Sequence, residues 1–274
     1  MCGRYDLNTP PIKLKTRFQT DFGRIAQELS PRYNIAPSVR VPVVRIEDGE
    51  RRAAMTTWGL VPRWAKDLSG IKPINARGES IAEKPMFRDA FKRRRCLIPA
   101  DGFYEWKRSA SGKQPWRLTM ADKEPFAMAG IWEEWGKEGQ KLETCAIITI
   151  GANELMAPIH DRMPVIIAHE TYRRWLDPAN ESPFELLAPY PAENMIAYPV
   201  SIRVNSPKND DSGLIEPLPQ KNRRARCRAP RVPPRLLETE AAFFALAAIA
   251  FIGAMIILLL PRTQKAVVAS AVAK

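Results

Sequence analysis

A cysteine directly after the initiator methionine, in the opening Met1-Cys2-Gly3-Arg4-Tyr5, offers a pair of groups that no internal cysteine has. Cys2 is small enough for Met1 to be removed, and the chain then begins with an α-amine and a thiol on adjacent carbons. An α-amine titrates at about 7.7 to 8.0 and a thiol at about 8.5, so each keeps an accessible nucleophilic fraction near neutral pH. Together they trap an aldehyde: the amine forms a Schiff base and the thiol closes it to a five-membered thiazolidine. Taken alone, Cys2 is equally a small residue beside an initiator Met, and its weight depends on its company.

Three further side chains suit that chemistry. Glu105 follows the apolar-aromatic run Gly102-Phe103-Tyr104, where partial burial would raise its pKa into a range useful for passing protons; a solvated strand-end carboxylate is the plain alternative. His160, one of only 2 histidines, suits donation to an oxygen or proton shuttling near neutrality, or simple polar packing ahead of Arg162; His169 opens an expected helix and reads as structural. Asn75 offers both halves of its amide for orienting an amine and a thiol, as it would for an ordinary turn. Arg4, Arg77 and Arg162 lie in the same stretches and present donor forks that fit phosphate. The run Lys92-Arg93-Arg94-Arg95 fits a solvated face or a DNA contact, and Trp58, Trp64, Trp106 and Trp132 fit a core, with one or two free to stack on bases. Cys96 and Cys145 read as small apolar fillers of strands, and Cys227 has no assignable role.

The pieces stand in a specific order. Cys2-Gly3-Arg4-Tyr5, then Asn75-Ala76-Arg77 with Glu79, then Ile98-Pro99 with Gly102-Phe103-Tyr104-Glu105-Trp106, then His160-Asp161-Arg162-Met163-Pro164 resemble the SOS response-associated peptidase (SRAP), or abasic-site-processing, family. Asn34, Ala36-Pro37, Trp58-Gly59-Leu60-Val61-Pro62, Trp64 and the stretch from Lys113 to Trp116 agree, so the resemblance spans about residues 2 to 207. It implies a sensor and shield of abasic sites in single-stranded DNA, which loses Met1 and forms a thiazolidine between Cys2 and the ring-opened sugar. By the same resemblance, Asn75 positions Cys2, Glu105 is the acid/base carboxylate, His160 lies beside the sugar, and Arg4, Arg77 and Arg162 hold phosphates. Trp58, Trp64 and Trp106 join the DNA-binding candidates. The peptidase activity in the family name is then self-removal of the leader residue, with strand cleavage by a lyase reaction left open. Two other readings stay open: a thiol peptidase acting on other proteins, and a noncatalytic single-strand-binding protein tethered to a membrane.

Composition supports a folded domain. With 45% hydrophobic residues and 7 Trp in 274 residues, the chain can bury a core large enough to offset its ordering entropy. The 4 Cys form no CxxC pair, no glycine loop has phosphate-binding spacing, and no metal or cofactor site is expected. Helices are expected at Pro11 to Phe18, Phe22 to Leu29, Lys84 to Lys92 and Glu170 to Leu176. The stretch from Val39 to Leu60 reads as a hairpin turning at Asp48-Gly49. Further strands are expected at Cys96 to Pro99, Phe103 to Trp106, Trp116 to Met120, Phe126 to Trp135, Leu142 to Ile150, Met163 to Ile167 and Ile196 to Val204. Without a βαβ rhythm, the expected fold class is α+β: a single SRAP-like domain over residues 1–220, built around antiparallel β-sheet.

The rest of the chain differs in kind. Of the formal charge of +12, residues 221–274 hold +8, from ten Lys and Arg against two Glu. Residues 221–240 read as a basic, proline-rich linker. The uncharged run Ala241 to Leu260 reads as a transmembrane helix of about 30 Å, and 261–274 as a short tail. The heavier basic flank precedes the run, so the expected arrangement is a cytoplasmic domain anchored to the cell membrane, or a cytoplasmic protein if the run is not inserted. The expected partner is single-stranded DNA containing abasic sites, with membrane association through 241–260 and no obligate protein partner.

Overall fold

The computed structural model describes residues 2–110, 112–136 and 141–219. Its strands are β1 (Tyr5–Leu7), β2 (Arg32–Ile35), β3 (Arg40–Glu47), β4 (Glu50–Trp58), β5 (Asn75–Arg77), β6 (Arg95–Ala100), β7 (Gly102–Ser109), β8 (Gly112–Met120), β9 (Phe126–Trp135), β10 (Leu142–Gly151), β11 (Arg162–Pro164), β12 (Ile166–Ile167) and β13 (Met195–Pro199). Three short helices, α1 (Pro11–Phe18), α2 (Arg88–Arg93) and α3 (Tyr172–Leu176), lie between them.

Local chemistry explains the elements that carry a clear signal. Asp48 and Gly49 both adopt positive φ (51° and 79°), which a two-residue hairpin turn requires, and the β3–β4 pairing runs without slippage from Arg40 opposite Thr57 to Glu47 opposite Glu50. Helix α1 starts on Pro11, whose missing N–H is no loss in a first turn, and buries Leu14 and Phe18 four residues apart.

The antiparallel expectation needs correcting. One sheet, in the order β13-β8-β7-β1-β2, is wholly antiparallel, but the second is mixed. In the second, the order β10-β4-β3-β6-β9 closes on itself because β9 also pairs with β10, and both β4 and β5 run parallel to β10. Ring closure leaves these five strands few free edges. The expected transmembrane helix is also corrected: among the described residues no helix is long and apolar enough to cross a membrane, and the run 241–260 lies outside them, as do 221–240 and 261–274. The fold class is therefore α+β with two sheets.

The sheets share one apolar core, in which Tyr5 of β1 meets Trp58 of β4 edge-on at 5.4 Å and Phe103 of β7 meets Phe126 of β9 at 6.4 Å. On the far face of the first sheet a smaller cluster forms around Tyr104, Val200, Val204 and Leu214. There Arg117 of β8 crosses β7 to grip Asp6 of β1 through two hydrogen bonds of 2.8 Å each. Gly102 makes the crossing possible, since a Cβ at that position would stand 2.6 Å from Arg117 Nε. This ion pair ties down the strand that leads out of the amino terminus.

The basic run at 92–95 divides. Arg95 is 4% exposed and donates to the carbonyls of Phe91, Lys92, Trp175, Asp177 and Asn180, so it caps the ends of α2 and α3. Arg94 pairs with Glu133, leaving Lys92 and Arg93 on the surface. Arg95→Met is expected to strand several of those carbonyls and lower stability by roughly 3 kcal/mol or more, read as a shifted urea midpoint. An unchanged midpoint would show the guanidinium to be dispensable.

Candidate active site

Tyr5 pairs with Phe103, and the Tyr104 amide donates to the Arg4 carbonyl at 2.9 Å, so the register of β1 on β7 continues toward the amino terminus. That register brings Cys2 to Glu105. Cys2 is fully buried, and its thiol is pushed well above the usual range by burial and then by the Glu105 charge, against the amino terminus and the Arg4 amide, which hydrogen-bonds the sulfur. Glu105 is 2% exposed, and burial raises its carboxyl, opposed by the amino terminus and by His160. At rest, then, the site holds a protonated thiol beside a carboxylate whose proton affinity is increased.

Asn75 approaches from the other sheet. It opens β5, which lies parallel to β10 with Asn75 opposite Ile147, and its Nδ2 donates to the Cys2 carbonyl at 2.9 Å. Its Oδ1 is buried with no protein partner. His160 precedes β11 and is half-buried; its Nδ1 accepts the Arg162 amide at 3.0 Å and stands 2.8 Å from Asp161 Oδ1. The first contact needs a bare Nδ1, and in that tautomer Nε2 carries the proton and is a donor.

The three arginines differ. Arg77 is exposed at the end of β5. Arg4 is half-buried and commits Nη1 to Asn34 Oδ1 (2.7 Å) and the Val204 carbonyl (2.8 Å), while Asn34 Nδ2 binds the carbonyls of Val204, Ser206 and Asn209. Arg162 donates to both carboxylate oxygens of Glu79 (2.5 and 2.9 Å) and to the Thr149 carbonyl (2.6 Å). In Arg4 and Arg162 alike, Nε is buried without a partner. A cavity of about 490 Å³ lined by Asp101, Arg117, Thr119 and Tyr198 opens on the opposite face of the first sheet from Glu105, since Arg117 and Tyr104 share that face.

With Cys2, Asn75, Glu105 and His160 converging from parts of the chain up to 158 residues apart, the comparison with known proteins has a site to attach to. The sequence profile described as SOS response associated peptidase (SRAP) matches residues 1–207. The chain belongs to the SRAP family. It is 45% identical to the abasic site processing protein YoaM of Bacillus subtilis over 222 residues, covering 79% of this chain and 98% of that one. It is 31% identical to the abasic site processing protein YedK of Escherichia coli, covering 80% and 100%. A crystal structure of a Bacteroides thetaiotaomicron protein superposes with a TM-score of 0.72 at 30% identity, covering 80% of this chain and all of that one.

Within this SRAP domain the tryptophans separate. Trp58 is fully buried and donates to the Ile74 carbonyl at 2.9 Å, so its expected place on DNA is corrected to the core. Trp64 is 60% exposed on the loop between β4 and β5. Trp106 is half-buried, with Nε1 donating to Asn205 Oδ1 at 2.7 Å. Thr149, fully buried on β10, was not singled out in the sequence; a threonine inside an apolar strand carries no signal that its carbonyl holds an arginine. Among the described residues, no three His, Cys, Asp or Glu side chains are grouped to hold a metal.

Proposed function

We propose that this protein processes abasic sites, sensing and shielding them in single-stranded DNA through a covalent thiazolidine at Cys2 formed after removal of Met1. The observation that carries the reading is the buried Cys2 thiol beside Glu105, with the Cys2 carbonyl held by Asn75. Relatives named as abasic site processing proteins, aligned over nearly their full length, support it.

In this reading the freed α-amine adds to the sugar aldehyde and expels water, giving an imine. Glu105 supplies the proton that leaves with the hydroxyl and then takes the thiol proton. Sulfur bonds to the imine carbon and the proton passes to nitrogen, so the product is protein plus aldehyde less one water. Asn75 Oδ1 is a ready acceptor for the amine, and His160 Nε2 a donor for the sugar oxygen. A thiol kept protonated by burial suits closure onto an imine already in place better than attack on peptides from solution. Arg77 at the surface, Arg4 and the terminal nitrogens of Arg162 are the donors for phosphate.

Intact-mass analysis after incubation with an abasic oligonucleotide tests this. The expected species is the protein lacking Met1 plus the oligonucleotide minus one water; no adduct, or one that retains Met1, overturns the reading. The tryptophans give a second test. Trp64→Ala is expected to weaken single-strand binding by roughly tenfold with an unchanged melting temperature, as for one lost base stack. Trp58→Ala is expected to lower stability by about 3–5 kcal/mol. Equal binding of the Trp64 variant and wild type in a fluorescence-anisotropy titration would remove Trp64 from the DNA surface.

A further inference from the structure

Arg162, one of the phosphate donors in this reading, already holds an anion. Glu79 lies in the short 3-10 turn Gly78–Ser80 that follows β5, and its carboxylate takes both terminal nitrogens of Arg162. It also feels the charge of Arg77, and the Arg162 hydrogen bonds keep its carboxyl below the usual range. The arrangement is bidentate, with the geometry that a phosphate bound to the same guanidinium would adopt.

Arg162 does not depend on this carboxylate for its position. Nη2 donates to the Thr149 carbonyl at 2.6 Å, Arg162 pairs with Gly151 in the β10–β11 ladder, and its side chain is 16% exposed. Glu79, on the surface side of the pair, is 50% exposed. The anchored partner is thus the cation, and the partner in contact with solvent is the anion. A carboxylate so placed can swing away; the guanidinium stays.

We propose that Glu79 is a specificity-determining residue, an internal counter-anion that a DNA phosphate must displace from Arg162. This rests on the abasic-DNA reading above and deepens it. A backbone phosphate from any strand can compete for Arg162, but it gains only the difference between two similar ion pairs, so reversible binding to intact DNA is held weak. A strand bearing an aldehyde gains the covalent bond at Cys2 in addition. Selectivity then comes from a built-in repulsive element, set against a reaction open only to the damaged strand.

The test compares wild type, Glu79→Gln and Glu79→Ala on an intact single-stranded oligonucleotide across a salt series, and on the same oligonucleotide with one abasic site. Both variants are expected to bind intact DNA about tenfold more tightly, with a salt slope steeper by about 0.7, the increment for one added phosphate contact on a single strand. Variants that bind intact DNA no more tightly, or more weakly, overturn the proposal and make Glu79 a support for Arg162. If wild type fails to crosslink the abasic strand, the abasic reading falls and this inference with it. If wild type crosslinks and the variants do not tighten on intact DNA, only the Glu79 assignment fails.

Discussion

Replacing Cys2 with Ser is expected to abolish the stable DNA adduct while leaving the fold intact. Serine is nearly the same size, and at this buried position its hydroxyl can take the Arg4 amide hydrogen bond now given to sulfur. Met1 removal tolerates Ser as it does Cys, so the α-amine still reaches the aldehyde. What is lost is the ring closure. The variant therefore forms only an imine, which hydrolyses on denaturation and is captured by borohydride, whereas the wild-type adduct survives denaturing electrophoresis with no reductant. A Ser variant whose adduct is as durable as the wild type's, with a matching melting temperature, removes the thiazolidine from the mechanism.

Glu105→Gln is expected to move rate and stability in opposite directions. As the proton carrier for both imine formation and ring closure, Glu105 should account for roughly 10²-fold in single-turnover crosslinking at saturating DNA. The same burial that raises its carboxyl makes its charge a burden on the fold. Since the folded pKa lies above the unfolded one, wild-type stability is least penalised below the ordinary glutamate range and falls as pH rises through the raised value. The Gln variant lacks that loss, so at neutral pH it should melt higher than wild type, with the gap closing as the pH drops below about 4. The high-pH limb of the crosslinking rate, where wild type becomes slower as Glu105 loses the proton it supplies, should flatten in the variant. Equal crosslinking rates for the two proteins would remove Glu105 from proton transfer.

The parts of this molecule that could be read in advance are those whose signal is local. The Val39 to Leu60 hairpin was legible because Asp48-Gly49 demands positive φ, and α1 because Pro11 marks its start. β1, β2 and β5 were missed because three or four residues cannot display an alternating pattern, and β5 owes its conformation to its parallel neighbour β10. Cys2 could be named from its chemistry and Glu105 from the family resemblance, yet their meeting depends on the β1–β7 register. The arginines show the limit best. In 92–95 four similar side chains stand in a row, and only the turn from α2 into β6 decides that Arg95 faces inward to five carbonyls while Lys92 and Arg93 face water. Arg4 and Arg162 have partners 30 and 83 residues away, beyond any pattern of spacing.

The way β1 is moored has a mechanical side. Only Gly3 and Arg4 separate Cys2 from the first residue of the strand, a span of about 10 Å even when taut. A tug on DNA joined at Cys2 therefore arrives at Tyr5 with almost no slack. From there the load is shared by three residues of ladder between β7 and β2 and by the clasp of Arg117 on Asp6. A covalent bond outlasts such an assembly by a wide margin, since a whole domain is held by only about 5–15 kcal/mol. A motor running into the joined strand would peel the protein from its amino terminus, loosening the clasp first and leaving an unravelled chain still fastened to the DNA.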